Sequence, residues 1–257
     1  MAIHPTAVIS PGAEIDPSCE IGPYAVIGPR VRMGPGNAVG PHAIVEGNTV
    51  LGAGNRIFGH AVVGAPPQDL KYKGEDTRLE LGDGNVVREF ASIHTGTVGG
   101  GGITRLGNQC LVMASAHVAH DCILGNRVIV ATFCALAGHV LAEDGVIFGG
   151  VSAVQQFSRI GRLAYVGGIT GVNMDVAPYL MVSGARGEVV GINQVGLQRA
   201  GFSEEQVARV KSAYKIVYRS KLPLKDALDQ VRAELSGNPE IDHWVRFIEA
   251  SERGILR

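Results

Sequence analysis

The stretch "IGPYAVIGPRVRMGPGNAVG", residues 21–40, places a large apolar residue at every sixth position: Ile21, Ile27, Met33 and Val39. Glycine follows each one, at Gly22, Gly28, Gly34 and Gly40. A period of six fits neither an α-helix nor one long alternating strand. It suits short strands separated by turns, each strand sending one apolar side chain inward.

The same phase runs outward in both directions. It begins at Ile3, Ile9 and Ile15 and continues through Val45, Leu51, Ile57 and Val63. It returns at Leu81, Val87 and Ile93, then runs from Leu106 to Val172, with Ala142 the one undersized member. Four places after the apolar residue a small one is common, as at Ala7, Ala13, Ala25, Ala43 and Ala61. Three hexads make an 18-residue coil, and stacked coils bury a continuous core, which predicts a parallel β-helix. About nine coils at a strand spacing near 4.8 Å stand roughly 40 Å tall. The composition agrees: 36 glycines with only 5% aromatics is the signature of a tightly wound repeat.

Cys19, Cys110, Cys122 and Cys134 all fall on the small position and form no CxxC pair, so they read as buried packing residues. Charge is nearly balanced, 23 Lys and Arg against 24 Asp and Glu, which gives no field for nucleic acid or an anionic membrane. The N-terminal "MAIHPTAVIS" lacks the pattern of a secretion signal, and no run of about 18 apolar residues occurs. A cytoplasmic protein is expected, without stable membrane insertion.

Two segments leave the repeat. "APPQDLKYKGEDTR" (65–78) and "GTVGGGGITR" (96–105) are expected to loop out from the coils, where function tends to gather. Beyond residue 190 the pattern turns helical. Ser203 and Gln206 form a capping box ahead of Val207, Val210, Tyr214 and Val217, and further helices are expected near 224–235 and 240–252. The predicted organisation is a β-helix over 1–190 and a C-terminal helical domain over 191–257. Arg209, Lys211, Lys215 and Arg219 read as a solvated face that an acidic partner could meet.

Residues 18 apart stack on one another, so His120, Gly138 and Gln156 form a line up one ridge. Asp121, His139 and His117 lie beside it, and His94 falls within one position of it. Four of the eight histidines thus share one ridge. Structural histidines, a zinc centre as in hexapeptide carbonic anhydrases, and a general base all remain open. The residues favour the base: His120 with Asp121 to orient it and the Gly138 N–H as an oxyanion donor. No serine nucleophile is evident beside them, so direct transfer of an acyl group to an acceptor hydroxyl is the natural chemistry.

The segments "QDLKY" (68–72), "AHVAHDC" (116–122), "LAGHV" (136–140), "AYKIVYRS" (213–220) and the terminal "RGILR" resemble the UDP-N-acetylglucosamine 3-O-acyltransferases, the family that opens lipid A synthesis. The resemblance spans essentially the whole chain. It implies a left-handed coil and a homotrimer with active sites between subunits, where a 3-hydroxyacyl group passes from acyl carrier protein to UDP-N-acetylglucosamine. It also implies no cofactor. His120 matches the family's base, Asp121 its polarising partner and Gly138 the oxyanion donor. Gln68, Asp69, Lys71, His94, His117 and His139 match positions lining the sugar and acyl sites. Gln156, Asn193 and Arg199 match positions near the sugar nucleotide and pantetheine, and Gly168 matches the one that limits acyl length. Gln155, Arg186, Val195 and Ala200 depart from the common pattern. N-acyl transfer to a 3-amino analogue of the sugar nucleotide stands as the alternative within the family.

Overall fold

In the computed structural model, which describes residues 2–257, the hexads fold into two-residue strands separated by four-residue turns, as at Val26–Ile27, Arg32–Met33 and Ala38–Val39. The strands stack as three parallel sheets, giving a left-handed β-helix of triangular section. The first face starts with Ala2–Ile3, the second with Val8–Ile9 and the third with Glu14–Ile15. Register advances by one coil of 18 residues, pairing Ile3 with Ile21, Ile9 with Ile27 and Ile15 with Met33.

The second residue of each strand points into the core. Ile27, Val45, Val63, Val118 and Leu136 are fully buried. Burying each such side chain stabilises by roughly 1.5–3 kcal/mol. Ile3, Ile9 and Ile15, in the first coil of the described residues, are only partly buried. The four cysteines are buried free thiols, and burial pushes Cys122 up to about 12 and Cys134 up to about 11. A feature the repeat did not reveal is an asparagine ladder on the same inward position. Asn37, Asn55 and Asn85 are buried, and each side-chain oxygen accepts backbone N–H from the next rung, at Asn55, Asn85 and Cys110.

Both irregular segments do loop out. The first spans 66–77 between the strands Val62–Ala65 and Arg78–Leu81. The second is shorter than expected, 95–102, because Ile103–Leu106 already pairs with Arg78–Leu81. Each runs from the second face to the third, so both leave from the same corner of the triangle.

The last coil strand, Leu180–Ser183, is joined antiparallel by Glu188–Ile192. Four helices follow: α1 (Gln194–Arg199), α2 (Glu204–Arg219), α3 (Leu224–Leu235) and α4 (Pro239–Glu249). The capping box at Ser203 and Gln206 is present; α1 was not anticipated, and α4 ends three residues before the expected 252. Arg209 is not part of a solvated face, since it reaches across to the buried Glu240 on α4 at 2.9 Å. The chain then turns back onto the top coil, where Asp175 bridges Ile255 and Arg159 donates to Ala250 O.

Candidate active site

The corner between the second and third faces carries the histidines. His117 and Val118 form a strand of the second face, Ile123 and Leu124 one of the third, and the turn between them holds His120 and Asp121. Asp121 adopts φ 60°, and His139 and Phe157, one and two coils above, adopt 63° and 64°. A left-handed residue at this place recurs around the coils, so the corner geometry itself turns these side chains outward together.

His120 and Asp121 are 6% and 3% exposed. The His120 Nδ1–H donates to Asp121 Oδ2 at 2.7 Å, which leaves the lone pair on Nε2, and Nε2 makes no hydrogen bond among the described residues. Asp121 is fixed by the second loop: Thr97 N–H donates to Oδ1 and Thr97 Oγ1–H to Oδ2, both at 2.7 Å. Its own backbone N–H donates to Thr104 Oγ1 at 2.8 Å. Neither threonine was legible as a site residue. Both lie far from Asp121 in sequence and meet it only through the register of the coils.

Gly138 stacks on His120, and a Cβ there would stand 2.5 Å from His120 Cε1. Only glycine leaves the imidazole its place. The Gly138 N–H donates to no group among the described residues, whereas the next N–H, of His139, donates to His120 O at 3.0 Å. An imidazole nitrogen and an amide donor, both without a hydrogen-bond partner among the described residues, therefore share one wall.

The other histidines surround this pair. His139 packs edge-on to His120 at 5.1 Å and stacks on Phe157 at 4.2 Å, with Nε2 3.6 Å from Asp121 Oδ2. His117 is hydrogen-bonded through Nδ1 to Ser92 Oγ at 2.8 Å. His94 aligns with Ala119, one place from His120, and its ring meets His117 edge-on at 4.8 Å. Burial lowers His94 to about 4, with the neighbouring His117 and His120 adding to the effect. Burial also lowers His117 and His139, against the pull of Asp121 in the second case. Burial thus disfavours the charged form of three of the four imidazoles.

Gln68, Asp69 and Lys71 lie on the first loop at this corner, where Asp69 accepts the Lys71 N–H at 2.9 Å. Gln156 is exposed one coil above Gly138, with the departing Gln155 beside it. A cleft of about 630 Å³ opens alongside, lined by Asp121, His139, Phe157, Arg159 and Arg253.

The remaining expected residues are not brought here. Gly168 lies in the turn between Tyr165–Val166 and Gly171–Val172, at the corner of the first and second faces. Asn193 and Arg199 belong to the third corner. There Asn193 caps α1 by accepting the Gly196 N–H and tethers it by donating to Leu163 O at 2.8 Å. Its amide is thus engaged inside the chain, which holds Arg199 over a separate groove of about 500 Å³ that Val195, Ala200, Tyr165 and Arg127 also line. Arg186 sits in the exposed turn before Glu188. Within one chain the expected site is split over three corners.

His120, Asp121 and His139 offer donor atoms within 4.8 Å of one another, a spacing a metal ion could bridge. Asp121 Oδ2 is already engaged by Thr97 and His120, however, and His120 turns its protonated nitrogen toward it. The arrangement is that of an imidazole oriented by a carboxylate.

A family model described as "Udp N-acetylglucosamine O-acyltransferase; Domain 2" matches residues 175–256, and one for bacterial transferase hexapeptide repeats matches 103–138. The chain is 66% identical, over all of both chains, to an acyl-[acyl-carrier-protein]–UDP-N-acetylglucosamine O-acyltransferase of Anaeromyxobacter sp. (strain K). Among solved structures, the UDP-N-acetylglucosamine O-acyltransferase of Moraxella catarrhalis is 41% identical with a TM-score of 0.96, all of both chains being covered. The corresponding protein of Acinetobacter baumannii is 42% identical, again at 0.96 and with both chains covered in full.

Proposed function

Because this chain belongs to the UDP-N-acetylglucosamine O-acyltransferase family, we propose a division of its acyl-transfer chemistry among the residues of the histidine corner. The enzyme transfers an acyl group from acyl carrier protein to UDP-N-acetylglucosamine in lipid A biosynthesis. The zinc hydratase considered from the sequence is not supported, since the relatives are acyltransferases.

In this reading the donor is a 3-hydroxyacyl thioester and the acceptor is the 3-hydroxyl of the glucosamine. His120 Nε2 takes the hydroxyl proton as that oxygen attacks the thioester carbonyl. Asp121 holds the ring and stabilises the imidazolium that forms. The Gly138 N–H donates to the carbonyl oxygen as it gains charge. Collapse expels the thiolate, which recovers the proton from His120, leaving an ester and a thiol. The observation that carries this is the His120–Asp121 hydrogen bond beside the free Gly138 N–H.

Gln68, Asp69, Lys71, His94, His117, His139 and Gln156 are assigned to substrate positioning. Arg199 is assigned to the diphosphate, which its planar fork fits. Gly168 is read as leaving room for a long acyl chain. A cytoplasmic homotrimer is part of the same reading: a threefold assembly lets the corners of neighbouring chains that carry Gly168 and Arg199 complete each histidine corner. Asn193, which also holds α1, is assigned with Arg199 to the sugar-nucleotide and pantetheine end, and residues 191–257 are read as a separate domain. Their exposed Lys211, Lys215 and Arg219 are offered to the acidic carrier protein.

The test is product analysis with a panel of 3-hydroxyacyl carrier proteins and two acceptors, UDP-N-acetylglucosamine and its 3-amino analogue. An ester on the hydroxyl sugar supports the reading, and the best donor defines chain length. An amide formed only on the amino sugar moves the enzyme to N-acyl transfer. No product from either acceptor contradicts the reading.

A further inference from the structure

Thr97 sits in the second loop, outside the hexad pattern, yet it is only 7% exposed and all of its polar side chain is in use. Its hydroxyl accepts the Gly100 N–H at 3.2 Å and donates to Asp121 Oδ2 at 2.7 Å, while its backbone N–H donates to Oδ1. The result is one directed chain of hydrogen bonds, from Gly100 through Thr97 to Asp121, which receives His120 Nδ1–H from the other side. The short 3-10 turn Val98–Gly100, capped by Thr97, closes over the carboxylate. A Cβ on Gly100 would overlap the Asp121 side chain, so the loop is shaped to lie directly on it.

We propose that Thr97 is a positioning residue for acyl transfer, holding the Asp121 carboxylate in the orientation that receives His120 Nδ1–H and so keeps Nε2 aimed at the acceptor hydroxyl. This rests on His120 being the base. Among the described residues Asp121 has no arginine or lysine partner in its hydrogen-bond network; besides His120 and the more distant His139 Nε2, its oxygens are held by Thr97 alone. Without the hydroxyl the carboxylate keeps one loop donor and can rotate. The imidazole then loses its fixed partner plane, although every substrate-facing group stays in place. The effect belongs in turnover and not in substrate binding.

The experiment compares Thr97→Val, Thr97→Ser and His120→Ala in full-length enzyme, using acyl carrier protein thioester and UDP-N-acetylglucosamine. Thr97→Val is expected to lower kcat by about 10- to 100-fold, with KM for both substrates within about twofold of the parent. Thr97→Ser, which keeps the donor, is expected to recover kcat to within about threefold. Should the valine variant not fold, Thr97→Ala is read against Thr97→Ser in the same way. Parental kcat in the valine variant, a change confined to KM, or a loss that serine does not recover would each overturn the proposal. If His120→Ala keeps parental turnover, the base assignment itself fails. If that variant is inactive while Thr97→Val is not, only the role of Thr97 falls.

Discussion

Gly138 and His120 hold equivalent places on successive coils, and a Cβ at residue 138 would approach His120 Cε1 to 2.5 Å and Nε2 to 2.7 Å. The imidazole cannot swing away without breaking its 2.7 Å bond to Asp121. Gly138→Ala should therefore displace the base while leaving the coil intact, because residue 138 lies in a turn and its φ is not in the left-handed region. We expect kcat to fall by about 10²-fold or more, with unfolding temperature changed little. Steady-state kinetics with calorimetry checks this; parental turnover would contradict the packing account.

His94 links the site to stability. Its folded value is about 4 against an ordinary 6.5, so the unfolded chain binds the additional proton between those limits. Its contribution is complete above about pH 6.5 and is lost as pH falls toward 4, on the order of 3 kcal/mol in all. His94→Gln cannot take up the proton. Thermal unfolding across pH 4–7.5 should show a smaller acid loss in the variant than in the parent. Parallel curves would show that His94 is not the group responsible.

The split of the site over three corners predicts complementation between inactive subunits. His120→Ala and Arg199→Ala should each be impaired alone, having lost the proposed base or the proposed diphosphate contact. If the chain assembles as the proposed trimer, some interfaces of mixed assemblies pair an intact His120 corner with an intact Arg199 corner. Random mixing of equal amounts gives about one such interface in four, so about a quarter of parental activity should return. No recovery on mixing would mean that each site is complete within one chain.

The hexads from Ile3 to Val172 were readable because one inward side chain per strand is a local demand repeated on every coil. The same register carried His120, Gly138 and Gln156 into one line, and it survived the second loop closely enough to bring His94 within one position. What escaped notice was contact made through loops and caps. Thr97 reaches Asp121 across 24 residues, and nothing in its local sequence separates it from an ordinary loop threonine. The asparagine ladder occupies positions where a small apolar residue was expected, because hydrogen bonds between rungs satisfy each amide. Arg209 looked solvated on a helical wheel, but its partner Glu240 lies on another helix. The amide of Asn193 also caps and anchors α1, a helix too short to show a period, and that structural task was not legible in the sequence.

The central claim is that His120 Nε2, oriented by Asp121, removes the acceptor proton. The most direct measurement is single-turnover acyl transfer from 3-hydroxyacyl carrier protein to UDP-N-acetylglucosamine by His120→Ala, on protein whose oligomeric state and unfolding temperature match the parent. The account predicts a rate lower by about 10²–10⁴ with substrate binding retained. A rate within a few-fold of the parent would contradict it and move the proton transfer to another group of the histidine corner.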